Sequence, residues 1–177
     1  EKEEVFKTQL RAILRASIYG NVQIMFPMIT KVEEVIKAKE YLEGVKQELK
    51  AEKAFFDENI KVGVMIETPA AVMLSGELAR EVDFFSIGTN DLTQFTLGMD
   101  RTNEAVVSHY DTKHPALLKM IRIVTNNVHL EGKTISVCGD LAADLSMTEF
   151  FVQIGVDELS VAPDQVLGLR KKIREIQ

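Results

Sequence analysis

Val62-Gly63-Val64-Met65-Ile66 is an apolar run that stops abruptly at Glu67-Thr68-Pro69-Ala70-Ala71. The same event recurs twice downstream. Val82-Asp83-Phe84-Phe85-Ser86-Ile87 gives way to Gly88-Thr89-Asn90-Asp91-Leu92-Thr93-Gln94, and Thr134-Ile135-Ser136-Val137 gives way to Cys138-Gly139-Asp140. Short apolar runs bounded by turn residues read as buried strands. Each of these places a reactive side chain at its C-terminal end. If the three strands are parallel and lie in one sheet, those ends share one edge, where ligands bind in parallel α/β sheets.

Working outward, residues 3–17 (Val5, Leu10, Ile13, Leu14) read as a helix that Gly20 stops, and Val22 to Met28 as a strand that Pro27 ends. A helical stripe runs from Val32 to Leu49. Pro69 opens a helix to about Arg80, since proline suits a first turn. Leu92 to Leu97 reads as a short helix or turn, 98–113 as a polar loop and 115–130 as an amphipathic helix stopped by Gly132. A helix over 145–154, a strand near Leu159 to Val161 and a helix from Pro163-Asp164 through Arg174 complete the chain. Strand and helix alternate throughout, the signature of parallel α/β architecture. About five strands, each followed by a helix, fit the last five βα units of an eight-stranded (β/α) barrel. A doubly wound sheet accepts five strands equally well, and periodicity does not choose between them.

At 177 residues, 46% of them hydrophobic, the chain can bury a full core as one unit, residues 1–177. The formal net charge of −6, with no basic patch, argues against a nucleic-acid partner. No apolar run approaches the roughly 20 residues needed to span a bilayer, and no basic apolar leader suggests secretion. The lone cysteine cannot form an internal disulfide, which fits a reducing cytoplasm. The start at Glu1, inside a helical pattern and without Met, reads as part of a longer polypeptide.

On chemistry alone, Glu67 and Asp91 on adjacent strand ends would suit magnesium, which takes one or two protein carboxylates and completes its shell with water and substrate oxygens. Asn90 can donate to a phosphate or carboxylate oxygen, and Arg101 can grip the same kind of anion with a bidentate fork. Cys138 is a candidate acid, base or nucleophile. Each residue also has an ordinary reading. A cysteine after a Val-rich run is commonly a small core residue. A strand-end Glu is commonly a cap or surface charge, and Thr89-Asn90-Asp91 could be a turn and N-cap before Leu92. His129 reads as a helix-surface residue, and His109 and His114 as loop residues without metal-ligand spacing.

The combination is more specific than its parts. Glu-Thr-Pro-Ala-Ala, Ile-Gly-Thr-Asn-Asp-Leu-Thr-Gln, Asp-Arg-x-Asn and Cys-Gly-Asp-Leu-Ala occur in that order along the chain. Together with Ile24-Met25-Phe26-Pro27-Met28 and the segment Gln9 to Ser17, they resemble the phosphoenolpyruvate-binding domain of enzyme I of the bacterial phosphoenolpyruvate:sugar phosphotransferase system. The resemblance runs along essentially the whole chain. It implies a (β/α)8 barrel, of which this is the C-terminal part, that binds phosphoenolpyruvate and Mg²⁺ and passes the phosphoryl group to a histidine, releasing pyruvate. By motif it makes Glu67 and Asp91 magnesium ligands, Asn90 and Arg101 holders of the substrate's phosphate and carboxylate, and Cys138 the acid that protonates C3 of the enolate. It further implies a cytoplasmic homodimer, a histidine-bearing N-terminal domain on the same polypeptide and a phosphocarrier protein as partner.

Two departures from the family pattern matter. Three barrel strands and some phosphate-gripping arginines would precede Glu1, so the isolated chain is expected not to turn over phosphoenolpyruvate. Asp140 also stands where the family usually has Glu, and Ala143 where it usually has Gly. Two other readings compete: a substrate-binding and dimerisation module without chemistry, or the corresponding domain of a pyruvate phosphate dikinase or phosphoenolpyruvate synthase, which share Thr-Asn-Asp-Leu-Thr-Gln.

Overall fold

A computed structural model describes residues 2–176. Five strands form one sheet: β1 (Gln23–Phe26), β2 (Lys61–Ile66), β3 (Phe84–Gly88), β4 (Thr134–Cys138) and β5 (Glu158–Leu159). Every pair is parallel, and the spatial order β1-β2-β3-β4-β5 is the order in sequence. That order supplies what periodicity left open. A doubly wound sheet reverses direction at a switch point, whereas a barrel sheet adds each strand beside the last. The sheet is of the barrel type.

Helices carry each crossover. Helix α1 (Glu3–Ala16) precedes β1, and α2 (Val32–Ala51) joins β1 to β2. Helices α3 (Pro69–Met73) and α4 (Ser75–Glu81) lie between β2 and β3, and α5 (Thr89–Leu97) and α6 (Pro115–Leu130) between β3 and β4. Helices α7 (Asp140–Ala143) and α8 (Thr148–Ile154) lead to β5, and α9 (Val166–Ile176) follows it.

The core lies between the sheet's outer face and these helices. Val64 and Ile66, Phe85 and Ile87, and Ile135 and Val137 pair in register across β2, β3 and β4 and are fully buried. They meet Val35, Leu42, Val45 and Leu49 of α2 and Leu117, Ile121, Val124 and Val128 of α6 in one apolar cluster. Each large side chain so buried is worth roughly 1.5–3 kcal/mol. The alternate residues Met25, Phe84, Ser86, Ser136 and Cys138 line a groove of ≈ 560 Å³ on the other, concave face. In a closed barrel that face is filled by inward-pointing side chains.

The elements differ from the expected ones mainly at their ends. The helix expected over 69–80 is interrupted at Leu74, where the Ser75 hydroxyl donates to the Val72 carbonyl at 2.7 Å and competes with the helical pattern. The helix expected over 145–154 starts only at Thr148, as α8, and the separate short helix α7 precedes it. Pro163 precedes the final helix by a turn. His114 caps α6, its Nδ1 accepting from the Ala116 N–H at 3.2 Å, and His129 contacts Asp157 at 3.0 Å.

Candidate active site

Strand register assembles the site. Ile66 pairs with Ile87, so Glu67, one residue on, is level with Gly88, and Gly88 pairs with Cys138. Level positions on neighbouring strands face the same side of a sheet. Glu67 and Cys138 therefore flank Gly88 on the concave face. The central position must be small: a Cβ on Gly88 would lie 2.9 Å from Glu67 Oε2 and 3.0 Å from Met65 Sδ.

Glu67 is only 3% exposed, which removes its reading as a surface charge. Its Oε1 accepts the Met28 backbone N–H at 2.7 Å. Met28 presents that N–H from a left-handed backbone (φ 55), unusual for a residue with a side chain. Burial pushes the Glu67 pKa up, the Met28 N–H opposes that shift, and the charge and hydrogen bonding of Asp91 add to it. A buried carboxyl whose ionised form is disfavoured beside a second carboxylate is part of a donor set that a divalent cation would relieve. Among the described residues no group of three or more His, Cys, Asp or Glu side chains could hold a metal. The pair thus suits magnesium, which keeps much of its water, better than a cation that needs an all-protein cage.

Asn90 and Asp91 sit inside the first turn of α5, whose N-cap is Gly88 with no side-chain cap bond. They are not the cap residues that a turn reading would make them. Asn90 Oδ1 accepts the Asp140 N–H at 3.1 Å. Asp140 makes this contact through its backbone, so its departure from Glu leaves the contact unchanged. Thr89 donates from Oγ1 to the Cys138 carbonyl at 2.8 Å. Gly139 (φ +89) lets the β4–α7 turn approach this closely, because a Cβ there would meet Thr89 Oγ1 at 2.5 Å and Asn90 Oδ1 at 2.9 Å. Arg101 Nη2 lies 3.9 Å from Asp91 Oδ1, and the Arg101 N–H donates to Gln94 Oε1 at 3.3 Å.

Cys138 is half-buried rather than a core residue. Its Sγ lies 3.4 Å from the Ile87 carbonyl oxygen, to which the thiol donates, and the Ser86 hydroxyl donates toward Sγ at 3.7 Å. Burial pushes the thiol pKa up, the Ser86 hydroxyl opposes this, and the charges of Glu67 and Asp91 add to the rise. The thiol is therefore held protonated near neutrality.

The five side chains singled out from sequence, Glu67, Asn90, Asp91, Arg101 and Cys138, come together at the C-terminal edge of β2, β3 and β4. Sequence reasoning missed Met28, Ser86, Thr89 and Tyr110, whose hydroxyl donates to the Asn90 carbonyl at 2.6 Å. Pro27 before Met28 and the serine in a buried strand were the available signals; Tyr110 had none.

The sheet order and this edge define a (β/α)-barrel-type protein with an acidic, thiol-bearing site. The fold is shared with a citrate lyase from Burkholderia xenovorans (TM-score 0.71, 19% identity, 94% of this chain and 53% of that one). It is shared too with a malate synthase from Haloferax volcanii (TM-score 0.69, 18% identity, 94% and 46%). These likenesses concern the fold alone. Residues 1–177 match the family described as "PEP-utilising enzyme, PEP-binding domain", and the chain belongs to that family. A phosphoenolpyruvate-protein phosphotransferase from Haemophilus influenzae is 47% identical over 99% of this chain and 31% of its own length. One from Listeria monocytogenes is 44% identical over 98% and 30%. The chain thus spans about a third of the length of these relatives.

Proposed function

We propose that the chain is the C-terminal part of the phosphoenolpyruvate-binding barrel of a phosphoenolpyruvate-protein phosphotransferase. The whole polypeptide would move the phosphoryl group of phosphoenolpyruvate to a histidine of its own N-terminal domain, release pyruvate and pass the group to a phosphocarrier protein to start sugar uptake. The setting would be the cytoplasm and the assembly a homodimer. The observation that carries this reading is the alignment of Glu67, Gly88 and Cys138 on three adjacent strands, with Asp91 facing Glu67. The identity to named phosphotransferases over nearly the whole chain supports the same substrate.

The proposed residue roles are those the family resemblance implies, and the geometry is compatible with them. Asn90 and Arg101 would hold the phosphate and carboxylate, with Arg101 kept toward Asp91. Glu67 and Asp91 would bind Mg²⁺, which when bound supplies positive charge against the phosphoryl and enolate oxygens. Transfer breaks the bond from phosphorus to the enol oxygen and forms one from phosphorus to a histidine nitrogen, leaving the electron pair on the enolate. The enolate collapses to a carbonyl as C3 takes the proton from Cys138 Sγ, giving pyruvate, and water returns a proton to the thiolate. A thiol held protonated by burial and by two nearby carboxylates is suited to that donation.

The test runs the last step in reverse. The full polypeptide, given pyruvate and Mg²⁺ in D2O, should exchange deuterium into the pyruvate methyl group, and Cys138→Ala should abolish the exchange. A Cys138→Ala protein that exchanges at the wild-type rate would remove Cys138 from the proposed role.

A further inference from the structure

We propose that Tyr110 is a positioning residue: its hydroxyl latches the loop of residues 98–114 onto the first turn of α5 and thereby holds Arg101 over the site. This rests on the reading of Arg101 as an anion-holding residue. The loop is long, and most of its hydrogen bonds are internal. Asn103 N donates to the Asp100 carbonyl at 3.1 Å, Val107 N to Asn103 at 3.0 Å and Tyr110 N to Val107 at 3.1 Å. Such turns shape a loop without fixing where it lies on the body of the protein.

Few contacts do that fixing. At the loop's start, the Met99 N–H donates to the Gln94 carbonyl at 3.1 Å and the Arg101 N–H to Gln94 Oε1 at 3.3 Å. At its end, Lys113 reaches Ser146 at 2.8 Å and Asp144 at 2.7 Å. Between these, the Tyr110 hydroxyl donates to the Asn90 carbonyl at 2.6 Å. Asn90 is itself the bridge between α5 and α7, through the Asp140 N–H. The latch therefore ties the loop to the residue that joins the two helix starts bordering the site. Burial raises the phenol pKa, Asp140 and Asp91 add to the rise, and Thr93 and Arg101 oppose it, so the hydroxyl stays protonated and able to donate.

Arg101 is anchored by its backbone, but its side chain is 41% exposed and its guanidinium stands 3.9 Å from Asp91, so its position depends on where the loop lies. Losing one ordinary hydrogen bond shifts such an equilibrium about five-fold. The experiment combines Tyr110→Phe with Arg101→Ala in the full polypeptide. Tyr110→Phe should raise the KM for phosphoenolpyruvate about five-fold with kcat within about two-fold, and it should have no further effect when Arg101 is already Ala. Tryptic cleavage after Arg101 of the ligand-free protein should quicken by a similar factor. The cleavage assay uses no phosphoenolpyruvate, so it separates a failure of the latch from a failure of the function reading. Cleavage at the wild-type rate in Tyr110→Phe, or an equal KM penalty in the Arg101→Ala background, would overturn the proposal.

Discussion

The Met28 backbone N–H donates to Glu67 Oε1 at 2.7 Å, joining the turn after β1 to the residue after β2. One residue of the site is thus held by a neighbouring strand's turn, and the bond needs only an oxygen, not a charge. Glu67→Gln can retain it while ending the conflict with Asp91. A carboxyl whose folded pKa is raised contributes stability that is present below its unfolded value and lost as pH rises through the folded value. The wild-type chain should therefore lose a component of its stability as pH climbs from the ordinary carboxylate range to that raised value. Glu67→Gln should flatten this part of the profile and melt higher at neutral pH. Stabilisation by Mg²⁺ should weaken more than about ten-fold. Thermal melts between pH 4 and 8, with and without Mg²⁺, check both.

Gly88 and Gly139 are tested by single methyl groups. Gly88→Ala brings a carbon within 2.9 Å of Glu67 Oε2 and 3.0 Å of Met65 Sδ, so the carboxylate must move. Overpacking of this kind costs roughly 1–3 kcal/mol, and here the damage falls on the proposed metal ligand. Gly139→Ala adds the strain of φ +89 to a 2.5 Å approach to Thr89 Oγ1, and so threatens the Thr89 bond to the Cys138 carbonyl. Both variants should lower the melting temperature. Gly88→Ala should lose Mg²⁺-dependent stabilisation out of proportion, and Gly139→Ala should be the less stable of the two.

Cys138 is the only cysteine in the sequence, so alkylation of the unfused chain reports on it alone. Its thiol is pushed up by burial and by the charges of Glu67 and Asp91, against the pull of Ser86. The alkylation rate at pH 7 should be lower than that of an exposed thiol, with a midpoint above the usual thiol range. Two substitutions should move that midpoint in opposite directions. Glu67→Gln removes a negative charge and should lower it, while Ser86→Ala removes the donor to the thiolate and should raise it. Rates of iodoacetamide reaction against pH decide the signs.

The strands and most helices were legible because their signals are local: apolar runs that stop at Glu67, at Gly88 and at Cys138, and Pro69 in a first turn. Strand order was not legible from periodicity, which records what each strand buries and not which strand lies beside it. The turn reading of Asn90 and Asp91 was attractive because both residues suit turns, yet the helix starts one residue earlier, at Thr89. The residues that hold the site in place were missed for a common reason. Met28 and Tyr110 act across the fold on or through backbone atoms, the first offering an N–H and the second meeting a carbonyl. A backbone donor or acceptor has no signature in its own residue type, and for Met28 only the neighbouring Pro27 hinted at an unusual turn.

The chain alone should bind phosphoenolpyruvate poorly and form no pyruvate from it. The site's own charges are Glu67, Asp91 and the nearby Asp140 against Arg101, and the ligand brings a phosphate and a carboxylate. One arginine and one Mg²⁺ offset that much negative charge incompletely, and the concave face beneath stays open to water, where each remaining attraction is screened. Within the sheet, β1 and β5 each pair on one side only, and the groove is lined by residues of the strands and those flanking them. His114 and His129 are engaged in capping α6 and in pairing with Asp157, which leaves them poorly placed as phosphoryl acceptors. Calorimetry with phosphoenolpyruvate and Mg²⁺ should give a Kd weaker than about 1 mM, equivalent to less than about 4 kcal/mol of binding. A coupled assay should detect no pyruvate above background. Turnover at the rate of the full polypeptide by these 177 residues would mean that the half-open site already holds every group the reaction requires.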